Sequence, residues 1–436
     1  MEIKPPSIED IQNLSIRTLG AAHIPSPLSQ RTVQFVSDEN KILVYTHSLD
    51  LKKIREQNME PPEFELAGPR DKLFFDPANL TCGIVTCGGL CPGLNDVIRT
   101  ITLGLYWQYG VKKVLGFRFG YEGLSSLAKK EPLLMTPDNV DQIQHAGGSI
   151  LGTSRGPQNL EDMVDVLVKN DISILFVVGG DGTFKGAHQI AELINNRRLK
   201  ISIISVPKTI DNDIFCSERT FGFYTAVEEA RKSIVAAHNE AKAVWNGIGL
   251  VKLMGRDSGF IATHATLANS DVNFCFIPEE PLFLDGETGI LSRLEKRLAR
   301  RQHAVIVVAE GAGQNLMADN NPVLKDASGN IIFHDIGLYL KEKISGFFKQ
   351  KNIPVTIKYI DPSYMIRSCP SIAPDSTFCI MLGQNAVHAG MAGKTDMFVG
   401  YWNDHFTHVP LTMAVGKRKK VDLTGEIWQT VKLMTE

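Results

Sequence analysis

From about Leu80 onward the chain alternates short, β-rich apolar runs with amphipathic stretches, and this alternation constrains the fold more than any other feature. Strands of a parallel sheet read as near-continuous apolar runs because helices cover both faces. The runs at residues 83–86, 113–117, 172–178, 201–206, 249–253 and 304–308 read this way. Apolar residues at helical spacing predict helices over 94–109, 159–169, 184–195, 221–237 and 286–300. The expected class is α/β, with mainly parallel sheets sandwiched by helices. At 436 residues the chain exceeds the size of one hydrophobic core, so two lobes with a cleft between them, or one lobe plus additions, are expected. Ligands of such sheets sit beyond the carboxyl ends of the strands, which directs attention to the loops there.

The residues before this region differ in texture. Pro5, Pro6, Pro25, Pro27, Pro61 and Pro62 interrupt any long element, so residues 1–78 read as an extension wrapped on the body. Residues 317–330 are polar with Gly and Pro and read as a surface loop. A formal net charge of −2 gives no global attraction to nucleic acid or an anionic membrane, so any phosphate binding must be local. The seven cysteines are odd in number and irregularly spaced, which argues against a disulfide framework. Cys87 and Cys91 have no second Cys/His pair at zinc-site spacing and read as small loop residues. No apolar run approaches the roughly twenty residues that cross a bilayer, and the start lacks an apolar stretch behind a basic patch, so the expectation is a cytoplasmic protein.

Three loops carry chemistry. In Gly-Ile-Val-Thr-Cys-Gly-Gly-Leu-Cys-Pro-Gly, a strand passes through Gly88 and Gly89 into a helix, and backbone N–H groups there can approach a phosphate at the helix's positive end. A tight turn without ligand explains that segment equally well. The second loop is Val-Val-Gly-Gly180-Asp181-Gly182-Thr183, again a strand, a glycine turn and a helix, in which Asp181 offers a hard oxygen to Mg²⁺. The third, Pro207-Lys208-Thr209-Ile210-Asp211-Asn212-Asp213, places two carboxylates just past a strand. Loop acids paired with solvent are the commoner fate of such a pattern, yet a strand-end Asp beside a phosphate site can take a proton from an attacking hydroxyl.

In this order, GGDGT, PKTIDND and the later Met-Gly-Arg resemble the phosphofructokinase family from about Leu80 to about Gly416. The resemblance implies two Rossmann-like lobes, with a nucleotide-binding lobe over 79–213 completed by about 386–417. A fructose-6-phosphate lobe would span 214–385, with a tail from 418. It also implies that Gly89, Arg155, Gly156, Gly180, Asp181, Gly182 and Thr183 hold ATP, with Asp181 on Mg²⁺. Thr209, Ile210 and Asp211 would hold the sugar's acceptor end. Asp211 is then the proton acceptor, Thr209 and Arg256 are its catalytic companions, and Asp213 orders the loop or the metal's water. Met254, Gly255 and Arg256 would contact the sugar phosphate, Glu310 a sugar hydroxyl, and Tyr364, Met365, Ile366 and Arg367 the phosphate again. A homotetramer or dimer is implied as well.

The chain departs from the bacterial pattern at Tyr364, where His is usual, at Lys358, where an interface arginine is usual, and at Gly247, where a second one is. Such departures resemble the branch that includes pyrophosphate-dependent and trypanosomatid ATP-dependent enzymes. Two residues bear on the donor. Gly182 leaves space where pyrophosphate users carry Asp, which favours ATP, whereas Lys208 is the residue pyrophosphate users carry. ATP is the reading adopted. Pyrophosphate, a non-catalytic nucleotide- or sugar-phosphate-binding subunit, and a lipid or NAD kinase sharing only GGDGT remain as alternatives.

Overall fold

The computed structural model describes residues 6–7, 11, 13–320 and 332–435. Two sheets organise the body. The larger has nine strands in the order Lys41–Leu43, Glu63–Leu66, His405–Pro410, Met397–Trp402, Ser202–Pro207, Ile172–Gly179, Thr81–Thr86, Lys113–Phe117 and Leu133–Leu134. The five from Met397–Trp402 to Lys113–Phe117 run parallel, and the strands outside them are antiparallel. The second sheet is wholly parallel, in the order Phe274–Phe276, His303–Ala309, Gly247–Leu253 and Thr356–Ile360. Every residue of Thr81–Thr86 and Ser202–Pro207 is buried, as strands covered on both faces must be.

All six expected strands occur, with bounds shifted by at most two residues. The expected helix over 94–109 is α-helical only at Leu94–Leu103 and continues as a π-turn, Gly104–Tyr109, closed by left-handed Gly110. The helix expected from 286 begins at Ile290. Its Ile290, Leu291, Leu294 and Leu298 make the buried stripe, and Arg300 and Arg301 complement its carboxyl end. Within 317–330, a 3-10 helix spans Gln314–Asn320 where a loop was expected, and residues 321–330 lie outside those described.

The N-terminal residues do more than wrap. Two of their strands extend the larger sheet, and Trp402 Nε1 donates to Val44 O at 3.0 Å beneath the edge-on ring of Phe64. Residues after 418 are also built in: helix Glu426–Met434 buries Trp428 and Val431 in the core shared with Phe260 and Ile261.

Glu65 ties the extension to the body. One of its oxygens accepts from Arg70 at 2.7 Å and His408 at 2.8 Å and lies 2.9 Å from Lys394 Nζ. Burial alone would raise this carboxyl, but His408 and Lys394 hold it down at about 2. Burial keeps His408 below its ordinary value, so its ring donates as a neutral group while Lys394 and Arg70 carry the balancing charge. Asp38 also pairs with Arg70 at 2.7 Å and Lys394 at 2.8 Å but is largely exposed, so Glu65→Gln leaves the two buried cations only partly compensated and is expected to cost about 1–3 kcal/mol, read by denaturant unfolding.

His388, bonded through Nδ1 to Tyr109 Oη at 2.7 Å, is pushed by burial down to about 4. The unfolded chain therefore binds a proton that the folded one does not, and stability should fall as pH drops from about 6.5 to 4. In His388→Gln that decline should be flatter.

Candidate active site

The loops singled out in the sequence emerge at one end of the larger sheet because its ladders align them. Pro207 is in register with Gly179, and the Lys208 N–H donates to Gly179 O at 2.9 Å, so the loops after these two strands start side by side. The Cys87 N–H donates to Val178 O at 2.9 Å and brings the third loop to the same edge.

Gly88 has φ +83°, a conformation that favours glycine, and a Cβ there would stand 3.1 Å from Lys208 Nζ. Lys208 is buried and donates to Gly89 O at 2.9 Å; burial lowers its pKa. A Cβ on Gly89 would lie 3.5 Å from Arg155 and 4.0 Å from Arg367, so guanidinium groups expected for the nucleotide and for the sugar phosphate converge on one glycine. Gly180 caps helix Asp181–Asn196, Asp181 opens its first turn, and Tyr121 Oη donates to Thr183 O at 2.7 Å. Around Gly182, an added Cβ would meet no atom within 4 Å. Lys185 is exposed.

The acidic loop is held from within. Thr209 Oγ1 donates to Asp213 Oδ1 at 2.7 Å and accepts from the Asp211 N–H at 3.2 Å. Asn212, at φ +57°, accepts from the Thr220 N–H at 2.9 Å, and Thr220 Oγ1 donates to Thr209 O at 2.6 Å. These bonds leave Asp211 Oδ1 shut off from solvent without a hydrogen-bond partner among the described residues. Burial, then the neighbouring Asp213 and Glu310, raise the Asp211 carboxyl well above the ordinary range. A buried carboxyl oxygen without a partner is ready to accept a proton from a group entering the cleft.

The second sheet supplies the facing wall. Met254 is buried, and Gly255 turns the chain at φ +124°, where a Cβ would approach Ser258 O at 2.7 Å. Arg256 lies over the Phe333 ring at 4.5 Å. Its ion pair with Asp257 is long, at 3.9 Å. Glu310 donates its N–H to Leu253 O at 2.8 Å; burial raises its carboxyl, and Arg367, Lys252 and Arg256 pull it back. The expected residues are not all gathered. Lys358 pairs with Glu240 at 3.1 Å on helix Phe223–Lys242, Tyr364 and Met365 are 82% and 66% exposed, and Ile366 is buried in the core.

Arg418 was missed. Its guanidinium lies 3.6 Å from both Asp181 and Asp213 and hydrogen-bonds Asp257. Burial alone would lower it, but Asp213, Asp257, Asp181 and Asp211 together raise it. Lys419 beside it is buried, donates to Ser217 O and Glu218 O, and is pushed down by burial to about 7. In sequence both stand in the basic run Lys417-Arg418-Lys419-Lys420, which reads as a solvated surface. Asp181 and Asp213 both face one cation, and their oxygens are hard donors of the type Mg²⁺ takes.

The family model for phosphofructokinase matches residues 81–390. An ATP-dependent 6-phosphofructokinase of Borreliella burgdorferi is 47% identical over 96% of this chain and 95% of its own length. One of Trypanosoma brucei brucei is 47% identical over 87% of this chain and 77% of its own. Among solved structures, a pyrophosphate-dependent phosphofructokinase of Marinobacter aquaeolei aligns with TM-score 0.65 at 20% identity, over 79% of this chain and 86% of that one, a likeness of fold. With three glycine and acidic loops aligned at one sheet edge and relatives matched along most of its length, the chain belongs to the phosphofructokinase family.

Proposed function

We infer that the chain transfers the γ-phosphoryl group of ATP to the 1-hydroxyl of fructose 6-phosphate, giving fructose 1,6-bisphosphate in glycolysis. It is a phosphotransferase, as are the relatives that match it over nearly its whole length. The observation that carries the residue-level reading is Asp211 Oδ1, buried and without a hydrogen-bond partner among the described residues, on the loop between the Gly180–Thr183 turn and the Arg256–Glu310 wall.

Gly89, Arg155, Gly156 and the turn from Gly180 to Thr183 bind the nucleotide phosphates, with amides at the start of helix Asp181–Asn196 facing the negative charge. Asp181, with Asp213 close by, would hold Mg²⁺, which would supply positive charge against the phosphates. Thr209, Ile210 and Asp211 receive the acceptor hydroxyl, and Thr209 keeps the loop in shape through its bond to Asp213. Asp211 takes the hydroxyl proton as that oxygen attacks in line, and Arg256 spreads the charge on the transferring group. Met254, Gly255, Glu310 and Arg367 orient the sugar phosphate. The exposure of Tyr364 and Met365, with Lys358 engaged elsewhere, supports a site completed by a second copy of the chain in a dimer or tetramer. No helix among the described residues is long and apolar enough to cross a membrane, which accords with a cytoplasmic enzyme.

The open space at Gly182 supports ATP as donor, and Lys208, committed to Gly89 O, acts there as a structural brace for the first glycine turn. The direct test is the purified protein with fructose 6-phosphate and Mg²⁺, offered ATP and pyrophosphate separately; product with pyrophosphate alone would overturn the donor assignment.

Asp211→Asn should lower kcat about 10²–10⁴-fold with little change in the KM for the sugar. Because burial raises the Asp211 carboxyl, kcat/KM should climb with pH along an acid limb above the usual carboxylate range, and the Asn variant should lack that limb. Equal losses in kcat and sugar affinity would count against a proton acceptor at this position. Gly182→Asp meets no steric obstacle, so the variant should keep its melting temperature and lose ATP use by tenfold or more through repulsion of the nucleotide phosphates.

A further inference from the structure

The segment 416–421 crosses from one lobe's acidic loops to the other's. The Gly416 N–H donates to Asp181 Oδ1 at 3.1 Å, and the Lys419 N–H donates to Asp213 O at 2.9 Å. Further along, the Val421 N–H donates to Glu279 Oε1 at 2.8 Å, and Glu279 also accepts from the Gly259 N–H at 3.0 Å. Asp181 and Asp213 follow strands of the nine-stranded sheet, whereas Asp257 and Glu279 follow strands of the four-stranded sheet. Arg418 stands where the two sets meet, 3.6 Å from Asp181 Oδ2 and from Asp213 Oδ2 and hydrogen-bonded to Asp257.

We propose that Arg418 is a positioning residue that serves as an internal cation for Asp181 and Asp213, and that a divalent cation competes with it for those carboxylates. The proposal rests on the reading of Asp181 as the metal-binding carboxylate. Three carboxylates packed around one guanidinium repel one another, and a single positive charge holds them in a common geometry. A divalent ion at Asp181 and Asp213 brings two positive charges beside the guanidinium, which swings away from those two acids while keeping its hydrogen bond to Asp257. Since Asp257 belongs to the opposite lobe, Arg418 stays in the cleft rather than leaving it. The Gly416 N–H bonds to Asp181 and Arg418 forms an ion pair with it, so the movement also loosens the strap at its first anchor.

The test uses the full chain without nucleotide and Mn²⁺ as the probe, with free Mn²⁺ followed by electron paramagnetic resonance. Arg418→Gln should lower the Mn²⁺ dissociation constant by about tenfold or more, the least expected from removing one positive charge a few ångströms from a divalent ion even where water screens the pair. Arg418→Lys, which keeps the charge, should stay near the wild type, and adding Asp181→Asn to the Gln variant should abolish the gain. A Gln variant that keeps its melting temperature and binds Mn²⁺ no more tightly overturns the proposal.

Hydrogen exchange on the unmodified protein decides the matter even where the Gln variant does not fold. Saturating Mn²⁺ should speed exchange of the Gly416 amide several-fold and leave helix Glu426–Met434 unchanged; an unaltered Gly416 amide refutes the idea. A protein showing this Mn²⁺ response without phosphorylating fructose 6-phosphate refutes the catalytic reading alone. One that phosphorylates the sugar without the response refutes only the role of Arg418.

Discussion

The arrangement depends on the parallel ladder between Ile172–Gly179 and Ser202–Pro207. Register there is set by side chains buried on both faces, where a slip by one residue would turn every side chain to the wrong side. With the strands ending level at Gly179 and Pro207, the glycine turn and the acidic loop leave the sheet as neighbours. The bond from the Lys208 N–H to Gly179 O extends the ladder one step into the loops. The Lys208 side chain then reaches across to Gly89, so one residue ties all three loops together.

Onto this rigid edge the protein places more negative charge than a loop cluster tolerates without compensation. Asp181, Asp211, Asp213 and Asp257 act on Arg418 together, and Glu310 adds its charge from the opposite wall. The compensation is divided. Arg418 serves the acids of the first sheet's loops and Asp257, whereas Arg367, Lys252 and Arg256 serve Glu310. Asp211 feels both groups, through a backbone hydrogen bond from Arg256 and the charge of Arg418, and its Oδ1 has no hydrogen-bond partner among the described residues.

Much of the architecture was legible because it rests on local pattern. The six expected strands are continuous apolar runs, and Asn159 at the start of its helix accepts from the Asp162 N–H as a capping residue should. The strands not expected differ in how much signal they carry. The hairpin Met397–Trp402 and His405–Pro410 turns on Asn403 and Asp404, both left-handed, which is a readable hairpin signature. Strand Thr356–Ile360 is only half-buried and mixes Lys with Thr and Ile, so no apolar run announces it.

The site divides in the same way. The sequence by itself determined which residues can do the chemistry: the glycine turns, the Thr209 to Asp213 acids, and the Met254 to Arg256 segment each follow a strand in an order specific enough to name a family. Tertiary structure alone decided their electrostatic state and company. Whether Asp211 is partnered, where Lys208 reaches, and that Arg418 stands among the acids rather than in solvent depend on chain segments roughly one hundred to two hundred residues apart being folded together. Burial and the distance between charges are properties of that packing, and neither is encoded in the spacing of residues along the chain.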